Sequence, residues 1–205
     1  MKNFFLFLCF FVFVGFLFIY FFKSKKCITP NTLNVEKEII GNDLTKTFLN
    51  LSSKKDFLLF LDSNKNISKT FFEVIESNNN NNLNQQKTDE LYLLLSNQYY
   101  DSVYFSFQKD FPDISKIFDE INFAIHNFNK ESQIKKNPVV NILISGFYND
   151  IVVTHDTINI GIDYFLQLNN RYKPRDFPTY ILKRYTPQFL IPTTLISYFS
   201  QFNLM

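Results

Sequence analysis

The chain has 205 residues, with 21 Lys and Arg against 19 Asp and Glu, and a formal net charge of +2. So small an excess cannot neutralise a run of phosphates, which argues against nucleic acid as a partner. The length leaves room for one domain with a sizeable core. Phe occurs 27 times and Trp not at all. The favoured residues Phe, Asn, Ile, Lys and Tyr all have A/T-rich codons, so composition reports base usage before it reports function.

The first element is the strongest. Residues 4–22, FFLFLCFFVFVGFLFIYFF, carry no charge. A helix of about 19 residues rising 1.5 Å per residue spans roughly 28 Å, close to the hydrocarbon thickness of a bilayer. Lys2 flanks one end, and Lys23, Lys25 and Lys26 flank the other. The run is longer than the apolar part of a signal peptide and has no small-residue cleavage site after it. It predicts an uncleaved signal-anchor: one transmembrane helix held in the lipid bilayer. The lysine excess on its C-terminal side places the rest of the chain on the cytosolic face.

Residues 23–31 read as a juxtamembrane tether, with Pro30 stopping the helix. Cys27, beside the lysines, is a candidate for palmitoylation. The only other cysteine is Cys9. Residues 32–205 can therefore form no internal disulfide and no Cys-based zinc site. Asn50 and Asn66 open N-x-S sequons, which matter only if the domain is lumenal.

Thr32 to Ile40 reads as a short helix closed by Gly41, and Asp43 caps a helical stretch through Leu51. The run DFLLFLD at 56–62 is short, apolar and bracketed by charge, which predicts a buried strand. Ser68 caps a helix through Glu76. The Asn-rich segment 77–87 reads as a mobile loop. Asp89 and Glu90 favour a helix over the following apolar residues. SVYFSFQ at 102–108 alternates like a half-buried strand. Ile114, Ile117, Phe118, Ile121, Ile125 and Phe128 recur at helical spacing behind Pro112 and Asp113, the clearest amphipathic helix in the chain.

Residues 137–147 and the run from Ile151 read as strands of a hairpin. From Thr157 the pattern suits either element, with the balance towards a helix. The tail after Arg184 is uncharged but rich in Thr, Ser and Gln. It reads as packing into the core, with the membrane headgroup region as the alternative. The interleaved elements predict a mixed α/β (α+β) globular domain behind the single transmembrane helix.

Motifs for chemistry are sparse. His155 and Asp156 stand where a predicted strand ends, the place where α/β proteins set reactive groups. Asp62 closes the first predicted strand. These three are the catalytic candidates. Ser145 precedes Gly146, but the surrounding residues do not make a nucleophile elbow. There is no Gly-rich phosphate loop, no H-E-x-x-H and no EF-hand pattern, so no cofactor and no metal is predicted. Arg171, Lys173, Arg175, Lys183 and Arg184 form a basic stretch that could meet anionic lipid. The primary functional reading is a membrane-anchored domain that binds a protein partner or scaffolds an assembly, in an organelle or a viral envelope. A tethered enzyme using His155 and Asp156, and a lipid-surface module using residues 171–184, are the alternatives.

Overall fold

A computed structural model describes residues 36, 38–49, 51, 53–74, 84–132, 134–174 and 177–202. The expected anchor 4–22, the tether 23–31, Cys27, Asn50 and Arg175 lie outside the described residues. Among the described residues no helix is long and apolar enough to cross a membrane. Residues 35–205 form one compact unit.

The unit is built on a four-stranded sheet. In chain order the elements are β1 (Ile40–Asp43), α1 (Lys54–Ser63), a π-helical turn (Ile67–Phe71), α2 (Gln85–Leu95), α3 (Tyr100–Asp110) and α4 (Ile114–Ser132). Then come β2 (Val139–Leu143), β3 (Ile151–Val153), β4 (Thr157–Gly161), a 3-10 turn (Ile162–Phe165), α5 (Thr179–Leu182), α6 (Pro187–Phe199) and a closing 3-10 turn (Ser200–Phe202). The spatial order is β1-β2-β4-β3. β1, β2 and β4 run parallel, and β3 returns antiparallel on the edge beside β4. This is the expected mixed α/β domain.

Registered residues share a face of the sheet. Gly41, Val140 and Ile158 align across the three parallel strands, as do Asp43, Ile142 and Ile160. α4 covers this face. Its Phe118 ring lies so close to Gly41 that a Cβ there would meet the ring at 2.7 Å. α6 packs beside α4 and onto β3 and β4. Phe128 of α4 stacks on Phe199 of α6, with ring centroids 4.3 Å apart.

The other face carries Asn42, Asn141 and Asn159 in register. Asn42 Nδ2 donates to Asn141 Oδ1 at 2.9 Å, and Asn141 Nδ2 donates to Asn159 Oδ1 at 2.7 Å. Asn159 Nδ2 then donates to Thr70 Oγ1 of the π-helical turn at 3.3 Å. The Thr70 hydroxyl itself donates back to the Asn66 carbonyl at 2.7 Å, so it is an acceptor towards Asn159 and fixes the direction of the whole chain. The buried amides of Asn141 and Asn159 are tolerated here because each both donates and accepts along the row.

Several local expectations change. Residues 45–49, expected in a helix capped by Asp43, form turns. DFLLFLD lies in helix α1, not in a strand. Ser53 Oγ accepts the Asp56 N–H at 3.2 Å and donates to the Asp56 carboxylate at 2.8 Å, which starts the helix. Phe57 and Leu61, four apart, are the pair it buries. SVYFSFQ lies in helix α3, where Tyr100, Val103, Tyr104 and Phe107 face inward and Phe105 is 62% exposed. Thr157 to Gly161 is a strand, fully buried between β2 and β3. Ile40 opens a strand, β1, where a helix end was expected.

Two further boundaries shift. α2 begins at Gln85, inside the expected loop, with Asn84 Oδ1 accepting the Lys87 N–H at 3.2 Å. β2 and β3 form no hairpin, because β4 sits between them. α4, β2 and β3 stand where periodicity placed them. The tail packs on the core as α6, burying Leu190, Thr194 and Tyr198.

Candidate functional site

Ligands of open α/β sheets bind outside the carboxyl ends of the parallel strands. Here that region is a loop, residues 144–150, leaving β2. Gly146 (φ 68°) and Phe147 (φ 60°) both take left-handed backbone conformations. Phe147 is not glycine, so this turn is strained and needs fixing from outside.

Asp163, just after β4, supplies the fixing. Its side chain is fully buried. Oδ1 accepts the Ser145 N–H at 2.8 Å and Oδ2 accepts the Phe147 N–H at 2.6 Å. The Ser145 hydroxyl lies 3.1 Å from Asp163 Oδ1 and accepts the Tyr148 N–H at 3.1 Å. Burial, only partly offset by the backbone donors at Ser145 and Phe147, pushes the Asp163 carboxyl up to about 6. Tyr164 donates to the Phe147 carbonyl at 2.6 Å, and Tyr185 donates to Asp150 Oδ2 at 2.6 Å. Burial pushes the Tyr164 hydroxyl up to about 12, so it stays a neutral donor. On the far side Asn149 Nδ2 donates to the Phe71 carbonyl at 2.7 Å, which ties the loop to the π-helical turn.

Over this loop opens a cleft of about 820 Å³. Its floor is Ile144, Gly146 and Phe147. One wall comes from the end of α2 and the start of α3, including Tyr99 and Tyr100. The other comes from Tyr164, Phe177 and residues 171–174. Tyr99 is 58% exposed and stands at the rim. Two cations, Arg171 and Lys173, are in the lining, and no Asp or Glu is among the described lining residues.

The sequence candidates are scattered. His155 and Asp156 are exposed in the β3–β4 turn, at the end where β4 begins, opposite the cleft. His155 packs near Phe202, with ring centroids 6.2 Å apart, and Asp156 lies 3.6 Å from Lys136. Asp62 is on α1 and faces Lys65 at 3.6 Å. Among the described residues no hydrogen bond or ion pair joins Asp62 to His155 or Asp156. Asn66 is exposed beside the π-helical turn. Of the basic stretch, Arg171 and Lys173 line the cleft, while the exposed Lys183 and Arg184 stand outside its lining. Among the described residues no group of His, Cys, Asp and Glu could hold a metal ion.

Residues 25–204 match the family described as gliding motility protein GldB. The chain belongs to the GldB family. The match covers the whole described unit, and the family's short name, GldB_lipo, marks it as lipoprotein-like. No curated protein and no solved structure matches this GldB-family chain. Asp163 was not singled out from sequence, because one Asp after a strand carries no motif. Its proximity to Ser145 exists only once β2 and β4 pair.

Proposed function

We propose that this GldB-family chain is a membrane-held component of a gliding motility assembly, and that its cleft over residues 144–150 docks a protein partner of that assembly. The observation that carries the reading is the cleft itself. It is large, lined by aromatic side chains, and set on a loop that Asp163, Tyr164 and Tyr185 hold in one conformation. A pre-formed surface of this kind lowers the ordering cost of binding. Tyr side chains supply contact area with little rotamer freedom to lose. Family membership supports a gliding motility setting for that partner.

In this reading residues 4–22 hold the chain in the membrane with the domain on the cytosolic side. Cys27, beside the basic flank of that anchor, is the palmitoylation candidate. Metabolic labelling with an alkyne fatty acid should mark the full chain, and Cys27→Ser should remove the label. Retained label in that variant would reject Cys27.

The docking claim is tested by complementation. Gliding cells lacking their own family member should regain motility with this chain. Cleft variants Tyr99→Ala with Phe177→Ala should fail while accumulating to the same level in the membrane. Full motility with that double variant would reject the cleft as the docking site.

A further inference from the structure

We propose that the cleft takes an extended acidic segment of its protein partner, a carboxylate meeting Arg171 and Lys173 and an apolar side chain entering among Phe147, Tyr164 and Phe177. This rests on the partner-docking reading above and names the partner chemistry that reading leaves open.

Charge comes first. Neither Arg171 nor Lys173 has a carboxylate partner among the described residues. Three acids of the described residues in this part of the fold are already engaged. Asp163 lies beneath the floor, bound to Ser145 and Phe147 N–H groups. Asp150 accepts from Tyr185, and Asp110 accepts from the Gln167 N–H at 2.9 Å and from Asn170 at 3.1 Å. The Arg171 guanidinium lies over the Tyr172 ring, 5.8 Å from its centroid, and its planar fork suits a bidentate carboxylate. Lys173 Nζ donates to the Leu168 carbonyl, which holds its charge at the cleft wall. A second hollow of about 480 Å³, between α4 and α6, differs in sign, with Asp110, Asp113 and Glu120 in its lining against Lys116.

Shape decides the rest. Phe177 stacks on Tyr185 with centroids 5.6 Å apart, and Tyr164 meets Phe147 edge-on at 5.7 Å. These rings make a rigid apolar wall beside the cations. A flat lipid headgroup layer cannot enter such a cleft, and Lys183 and Arg184, which a headgroup layer would recruit, stand outside its lining. A chain segment with alternating acidic and aromatic residues satisfies both wall and cations.

The test uses the full chain in detergent micelles and two fluorescein-labelled hexapeptides, Phe-Glu-Leu-Phe-Glu-Ala and its glutamine isostere Phe-Gln-Leu-Phe-Gln-Ala, read by anisotropy. The acidic peptide should bind at least tenfold more tightly than the isostere. Arg171→Gln with Lys173→Gln should remove that preference, and Phe177→Ala should weaken binding of both peptides. Equal affinity for the two peptides, or no binding of the acidic one, overturns the proposal. So does binding of phosphatidylglycerol vesicles in the absence of peptide binding, which would reassign the cations to lipid. Photocrosslinking in gliding cells separates the two readings. The same motility partner captured by wild type and by the double charge variant overturns the acidic-segment proposal but leaves docking intact. No partner captured by wild type overturns docking.

Discussion

At pH 7 the buried Asp163 carboxylate holds two backbone N–H groups of a strained turn. Asp163→Ala would leave both donors buried without an acceptor, at a cost of roughly 3 kcal/mol or more. Thermal or urea unfolding of the full chain measures it. The pH dependence has a definite sign. The folded-state carboxyl sits at about 6 against an ordinary 3.8, because burial disfavours its charge. The folded chain therefore binds this proton more tightly than the unfolded chain. The contribution is fully present below pH ~4 and is lost as pH rises through ~6, a change of about 3 kcal/mol. Asp163→Asn should lower stability at pH 7 and flatten the slope across that window. An unchanged slope in the variant would place the titration on another group. A smaller effect is expected at Tyr198, whose hydroxyl is buried without a partner among the described residues. Tyr198→Phe should be neutral or raise stability by about 1 kcal/mol.

The asparagine row gives a test for the sheet as an element. Asn141→Ala should cost roughly 1–3 kcal/mol, because it strands the Asn159 acceptor in the interior. Replacing Asn141 and Asn159 together by Val should recover most of that loss. A double variant as unstable as the sum of its parts would mean that the row does not act as a unit. The elements also explain what could be read from sequence alone. α4 was legible because its apolar spacing persists over several turns. α1 was hidden because seven apolar-centred residues suit strand or helix equally. The deciding signal, Ser53 followed by Asp56, lies at the cap rather than in the run. α3 was misread because Phe105 completes an alternation while pointing outward. β4 was obscured because Asp156 and Thr157 suit a helix cap and Ile158, Ile162, Phe165 and Leu166 fit a helical face as well as Ile158, Ile160 and Ile162 fit a strand. Ser53→Ala should cost about 1 kcal/mol, checked by the midpoint of thermal unfolding.

For the molecule as a whole, the mixed α/β domain and its packed tail were legible, and the site was legible only in part. Arg171 and Lys173 were visible as members of a basic stretch. Their separation from Lys183 and Arg184 follows from the fold around β2 and could not be read from spacing. The clasp that shapes the cleft joins residues 145 and 163 through strand pairing, so no local pattern announces it. The central claim is that this cleft is where a partner of the gliding assembly docks. The most direct measurement places a photocrosslinking benzoylphenylalanine at the rim, Tyr99, and a control at Phe105, which is as exposed but outside the cleft lining. In membranes of gliding cells, Tyr99 should yield one discrete adduct with a component of the motility assembly, lost on Phe177→Ala, and Phe105 should yield none. Equal adducts at both positions, or none at Tyr99, would contradict the account.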